Sequence, residues 1–173
     1  GSFTVSGLST MTNALFASGG VTPVGSLRQV QLKRQGRTVS ELDLYDLLLR
    51  GDNRDDARLQ PGDVIFVPPL GDTVAVAGEV QRPAIYELRG EKALDQVIAL
   101  AGGLTAAAYP GKVRIERIDA TRTRSVLIAD LVSAAGRGTL LRNGDVVLVD
   151  PVLEEIGNSV ALTGHVHRPG TFR

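Results

Sequence analysis

The sequence predicts an α+β fold, built from a small mixed sheet with one packed helix that occurs more than once along the chain. Three observations support this class. The phrase VAVAGEVQRPAIYELRG at residues 74–90 returns as VALTGHVHRPGTFR at residues 160–173. Short segments of alternating apolar and polar residues flank a segment with helical periodicity. Apolar residues make up 43% of the chain, which is enough to form hydrophobic cores.

An internal repeat divides the chain into units, with matched positions about 83 residues apart. The aligned pairs include Phe3 with Tyr86, Gly19-Gly20 with Gly102-Gly103, and Gly62-Asp63 with Gly144-Asp145. We therefore expect module A at residues 3–69 without its first strand, a complete module B at residues 73–151, and the first hairpin of a third module at residues 160–173. The initial Gly-Ser pair resembles the remnant of a cleaved tag, so we expect a piece of a longer protein.

The first half of module B has the pattern of two strands and a helix. Small apolar residues alternate at 73–80, and Pro83 favours a turn before a second strand at 85–89. Apolar residues then change to the helical spacing i, i+3, i+4 and i+7. The helix should end at two glycines, because glycine adopts the left-handed conformation at little cost. The stripe is Leu94, Val97, Ile98 and Ala101, and the stop is Gly102-Gly103.

The second half of module B has the pattern of three further strands, at residues 112–118, 121–131 and 142–150. Asn143-Gly144-Asp145 is a turn signal. One helix laid across a small mixed sheet is a β-grasp arrangement. Module A should repeat this arrangement, with its helix and strands near residues 10–18, 27–34, 38–44 and 63–68.

The sequence contains no motif for enzyme chemistry. It has no cysteine, P-loop, dinucleotide glycine fingerprint, HExxH or nucleophile elbow, so we expect no catalytic residue, cofactor or metal site. His165 and His167 would share a strand face, but no third ligand lies nearby, which favours ordinary exposed residues. Asp46 and Asp130 occupy matched positions and should cap helical turns. The 19 basic and 19 acidic residues balance, which gives no basis for a nucleic-acid partner.

Three motifs together resemble the SLBB module, a soluble ligand-binding β-grasp. They read V-x-V-x-G-x-V-x-x-P-x-x-Y-x-L from Val74, L-x-x-V-I-x-x-A-G-G-L-T from Leu94, and L-x-x-G-D-V-V-x-V from Leu141. Modules in tandem are most similar to the Wza-like outer-membrane polysaccharide export proteins. The resemblance implies that most matched positions make the fold. These positions are Gly19, Gly20, Gly62, Asp63, Gly78, Pro83, Tyr86, Gly102, Gly103, Gly144 and Asp145.

The same resemblance implies a function and a location. It implies a homo-oligomeric conduit for a polysaccharide in the periplasm or outer membrane of a Gram-negative bacterium. An inner-membrane polysaccharide co-polymerase would be a further partner, and the membrane would be reached only through segments outside this chain. Arg82 and Arg168 stand at equivalent hairpin turns and are the candidate ligand-binding residues, facing an acidic sugar, a neighbouring subunit or solvent.

Alternatives to the conduit remain open from the sequence. One is a module that binds a small soluble ligand or carbohydrate without a pore role. Another is an accessory domain of DNA uptake or of a respiratory complex. Tyr86 could stack on a sugar, but its aromatic counterparts Phe3 and Phe172 favour core packing. Because module A lacks its first strand, residues 160–166 should pair with module A of the same chain or of another copy.

Overall fold

The structure, a computed structural model, describes residues 9–152, 160–165, 167–168 and 170–172. Short helices and small sheets mix along these residues, so the α+β class predicted from the sequence is confirmed. The elements are α1 (Met11–Ala17), β1 (Val30–Arg34), β2 (Arg37–Leu42), α2 (Leu44–Arg50), β3 (Val64–Phe66), β4 (Thr73–Gly78), β5 (Ala84–Glu87), α3 (Leu94–Leu100), β6 (Ala108–Ile118), β7 (Arg124–Ala129), α4 (Ala134–Arg137), β8 (Val146–Pro151), β9 (Val160–Leu162) and β10 (Gly170–Phe172).

The first sheet region, defined here as residues 9–70, contains a three-stranded antiparallel sheet in the order β2-β1-β3. Helix α1 begins at Thr10, whose side chain accepts a hydrogen bond from the Asn13 amide, and it ends before the predicted glycine pair. Apolar residues of α1 and of the strands form one buried cluster. Its members are Met11, Leu15, Val30, Leu32, Leu42 and Leu44.

The second sheet region, defined as residues 71–152, contains a five-stranded mixed sheet in the order β5-β4-β8-β6-β7. Strands β4 and β8 pair in parallel, and the other pairs are antiparallel. The helical stripe predicted from the sequence is confirmed, because its four residues are all buried in the main core. These residues are Leu94, Val97, Ile98 and Ala101.

Gly78 ends β4 where this strand comes closest to β8. Its φ is +84°, and a Cβ atom built there would lie 2.1 Å from the carbonyl oxygen of Val149. Only glycine tolerates both the positive φ and this approach of two backbones. The next amide, that of Glu79, donates a hydrogen bond of 2.9 Å to the same oxygen. Gly78 thereby allows the parallel pair to close.

Helices α2 and α4 lie where the sequence predicted only helical turns capped by Asp46 and Asp130. Asp43 caps α2 by accepting from the Tyr45 amide, and Gly51 ends it in the left-handed conformation. The predicted capping role of Asp46 is therefore wrong, because Asp46 lies inside the first turn and pairs with Arg50. Asp130 matches Asp43, since it also follows a strand and accepts from the amide two residues on.

The two regions share one bidentate ion pair at corresponding places. Arg34 binds both carboxylate oxygens of Asp63 at 2.8 Å, and Arg117 binds those of Asp145 at 2.9 and 2.7 Å. Each aspartate also accepts from the backbone amide three residues before it. Gly62 and Gly144 precede them with φ of +86° and +83°. The sequence predicted the turns but missed their arginine partners.

The last two strands, β9 and β10, form a separate antiparallel hairpin in which Val160 lies opposite Phe172. Among the described residues β9 has no ladder with β1, β2 or β3, so pairing of this segment with module A of the same chain is not seen. Pairing with another copy stays a prediction. The predicted strand at the start of module A, from Phe3, lies outside the described residues.

Candidate functional site

Arg82 sits at the C-terminal end of α3. Its amide donates to the carbonyl of Ala101, and its guanidinium donates to the carbonyl of Leu100 at 3.2 Å. A cation there stabilises carbonyls that the helix leaves without partners. Arg168, its counterpart in the third hairpin, is exposed. The ligand-binding role of both residues stays a prediction.

Tyr86 is buried, with 5% of its surface exposed, and its hydroxyl donates to the carbonyl of Arg82 at 2.5 Å. This position supports core packing rather than stacking on a sugar. His165 and His167 are both exposed. The described residues contain no group of three or more histidine, aspartate or glutamate side chains placed to hold a metal ion.

A buried polar contact joins the two sheet regions, and sequence reasoning missed it. We call it the joint, and it consists of Arg28, Asp43, Tyr45, Glu87 and Glu91. Arg28 is 4% exposed, and its guanidinium binds the carboxylates of Asp43 at 3.0 Å and Glu91 at 2.8 Å. It also donates to the backbone carbonyl of Glu87 and lies 4.6 Å from the centre of the Tyr45 ring. Arg28 thus contacts both regions at once.

The carboxylate of Glu87 closes the joint from the other side. It is 2% exposed and accepts from the Leu27 amide at 2.9 Å and the Gly71 amide at 3.0 Å. Its own amide donates to the Tyr45 hydroxyl at 3.0 Å. The rings of Tyr45 and Tyr86 meet edge to face, with centres 6.2 Å apart.

The charges of the joint alter the pKa values of its members. Burial acts most strongly on Arg28 and would lower its pKa, but hydrogen bonds to Glu91 and Asp43 outweigh this and raise it. Burial likewise would raise the pKa of Glu91, yet the hydrogen bond from Arg28 leaves it below the ordinary value of 4.5. Burial raises the pKa of Tyr45 above 10.0. All three residues therefore keep their usual ionisation states at neutral pH.

A polar cleft of about 340 Å³ lies beside the joint, between the loop after β5 and the turn before β8. Its lining combines two cations, acidic groups and an amide with the apolar side chains of Leu88 and Leu141. The side chains of Lys92 and Arg142 have no ion pair within the described residues. The polar and glycine lining residues are Asp72, Gly90, Glu91, Lys92, Arg142 and Asn143.

Comparison with known proteins agrees with this architecture. Residues 73–129, from β4 to β7, match the SLBB domain family. Two polysialic acid transport proteins named KpsD, both from Escherichia coli, are each 34% identical to this chain over 142 residues. The matched part is 80% of this chain and 24% of each relative, so the chain spans about a quarter of their length. None of the helices in the described residues is long and apolar enough to span a bilayer.

Proposed function

We propose that this chain is part of a protein that exports a polysaccharide through the periplasm and outer membrane of a Gram-negative bacterium. The observation that carries the proposal is the 34% identity to KpsD, whose name describes polysialic acid transport. The similarity covers 142 residues, whereas only 103 residues follow the first region, so it reaches into the first region as well. The proposed role is non-catalytic, and an inner-membrane polysaccharide co-polymerase would be its partner.

The proposal includes a tandem arrangement, with modules at residues 3–69 and 73–151 and the start of a third at residues 160–173. The shared ion pairs and glycines of the two sheet regions support it. A further parallel comes from the backbone: Leu70 donates to the carbonyl of Val24 as Val152 donates to that of Ala107. These bonds fix the same crossing of the chain in both regions.

A homo-oligomeric conduit is the finer part of the proposal. In the second region β4 pairs with one edge of β8, whereas the corresponding edge of β3 has no strand beside it among the described residues. An open edge is a template for pairing with another chain. The β9–β10 hairpin resembles the start of module B in sequence, so a second copy can offer β9 to this edge.

The export function is tested in the full-length protein in its own bacterium. Deleting residues 73–152 should remove the polysaccharide from the cell surface and leave it inside the envelope, as measured by staining whole and permeabilised cells. A variant with Arg122→Ala in an exposed turn serves as the control and should export normally. Unchanged surface polysaccharide in the deletion strain would contradict the proposal.

Self-association is tested separately, by light scattering over a concentration series. The mass of the chain should rise toward a defined oligomer, and Val64→Lys on the open edge should reduce this rise. Val39→Lys on β2, at the opposite edge of the same sheet, is the matched control. A monomer at every concentration would instead favour the second candidate, a carbohydrate-binding module without a pore role, which the polar cleft supports.

A further inference from the structure

Hydrogen bonds to the backbone join the segments that line the polar cleft of the second region. The Leu141 amide donates to the Lys92 carbonyl at 2.8 Å, which ties the two walls together. The side-chain oxygen of Asn143 accepts from the Thr73 amide at 2.8 Å. These bonds hold the backbone segments that carry Lys92 and Arg142, so the two charged side chains start from fixed positions on facing sides of the cleft.

The two cations of the cleft are not needed for the fold. By the repeat, Ser9 corresponds to Lys92 and Gln60 to Arg142. The Leu59 amide donates to the Ser9 carbonyl at 2.9 Å, as the Leu141 amide donates to the Lys92 carbonyl. The amide of Gln60 donates to Asp63 just as that of Arg142 donates to Asp145. Folding therefore does not explain why the second region carries two positive charges here.

The acidic residues of the cleft do not neutralise these cations. The carboxylate of Glu91 is taken by Arg28 at 2.8 Å and by the Arg89 amide. Asp72 is exposed and forms no ion pair within the described residues. The cleft thus presents two cationic donors, the amide nitrogen of Asn143 and one carboxylate acceptor, next to the apolar surface of Leu88.

We propose that this cleft binds a carboxylated sugar unit, an inference that rests on the proposed export of a polysaccharide and specifies the class of polymer. Lys92 and Arg142 hold the sugar carboxylate, because cations bind carboxylates with charge-assisted hydrogen bonds. Asp72 accepts from the ring hydroxyls. The Leu88 side chain covers the apolar face of the ring.

The test is calorimetric titration of the whole chain with oligomers of a carboxylated sugar and with the same oligomers after reduction of their carboxyl groups to alcohols. The wild-type chain should bind the acidic oligomer, and its affinity for the reduced oligomer should be lower by about tenfold or more. Lys92→Gln with Arg142→Gln should weaken binding of the acidic oligomer by about tenfold or more. Arg37→Gln with Lys112→Gln, two exposed cations elsewhere, is the matched control and should leave binding unchanged.

Three results would overturn the site. These are equal binding of the acidic and reduced oligomers, binding by the K92Q/R142Q variant as tight as that of the wild type, or no binding of the acidic oligomer. Each leaves the export proposal to the separate deletion experiment, because surface polysaccharide is measured there without reference to this cleft. Loss of export in the deletion strain together with any of these results would place the polymer contact elsewhere.

Discussion

The two sheet regions differ more in what surrounds the fold than in the fold itself. Both carry a bidentate arginine–aspartate pair, a glycine in the turn before the last strand, and a helix that is followed by a glycine pair. Among the described residues, the second region also has two strands beside β8, namely β4 and β5, and a charged cleft. The shared contacts make the fold, and the unshared ones are free to serve assembly and binding.

The joint shows the same division. Arg28 corresponds to Gly111 in the repeat, and Asp43 is 5% exposed whereas its structural counterpart Asp130 is exposed. Tyr45 packs inside the joint, whereas Val132, two residues after Asp130, is 67% exposed. Contacts that the repeat does not copy therefore hold the two regions against each other.

Removing the centre of the joint should produce the largest loss. Arg28→Met leaves the buried carboxylate of Asp43 and that of Glu91 without their main partner, so the free energy of unfolding should fall by about 3–5 kcal/mol. Urea unfolding should then show two transitions, one for each region. Arg50→Met, at an exposed pair on α2, is the control and should cost far less. A single transition at the wild-type midpoint would contradict the claim that the joint holds the two regions together.

Replacing Gly78, where β4 pairs with β8, should destabilise the protein more than replacing its counterpart Gly164. Gly78→Ala places a methyl group 2.1 Å from the Val149 oxygen at a φ of +84°, which should cost about 3 kcal/mol. Gly164 has a φ of +101° but nothing within 4 Å, so Gly164→Ala should cost about 1 kcal/mol. Denaturant unfolding measures both. Equal losses would show that the approach to Val149 does not matter.

The shared ion pair should matter more in the second region than in the first. The Arg117 side chain is 12% exposed over an Asp145 side chain that is 1% exposed, whereas Arg34 is 32% exposed. Arg117→Ala should reduce the free energy of unfolding by about 2 kcal/mol. Arg34→Ala should cost less, because water can reach Asp63 once the side chain is removed. Thermal unfolding of both variants measures the two losses. A larger loss for Arg34→Ala than for Arg117→Ala would contradict the claim that burial makes the second pair more important.

The smallest expected effect is the loss of stability in acid that follows from protonation of Glu91 in the joint. The lowered pKa of Glu91 adds stability above its unfolded value of 4.5, and this contribution is lost as the pH falls through the lower folded value. At neutral pH Glu91→Gln should cost about 1–2 kcal/mol. At about pH 3 the difference between the variant and the wild type should shrink. The lowered pKa of Asp63 affects both proteins equally, so a difference independent of pH would contradict the assignment.

Much of the fold could be predicted because its signals are local. The stripe from Leu94 to Ala101 and the glycine pair after it are read from spacing alone. The turns at Gly62 and Gly144 repeat in sequence and in conformation. The start of helix α2 was misplaced, because its capping residue Asp43 directly follows a strand and was read as part of that strand.

The joint and the cleft could not be predicted, because their residues come together only in the folded chain. Arg28 and Glu91 lie 63 positions apart, and no repeat connects them. Lys92 and Arg142 face the same cleft from different loops. The repeat did hold one usable signal: two charged residues replace Ser9 and Gln60 at positions where the fold is otherwise copied.

The most direct test is one amide NMR titration of the chain with an oligomer of a carboxylated sugar, since both regions appear in the same spectrum. The account predicts shifts at residues 88–92 and 141–143 and none at their counterparts around Ser9 and Gln60. Ser9 and Gln60 then act as an internal control, because they occupy the positions of Lys92 and Arg142 in the repeat and carry no charge. Equal shifts at both places, or shifts only in the first region, would contradict the claim that the unshared charges bind the polymer.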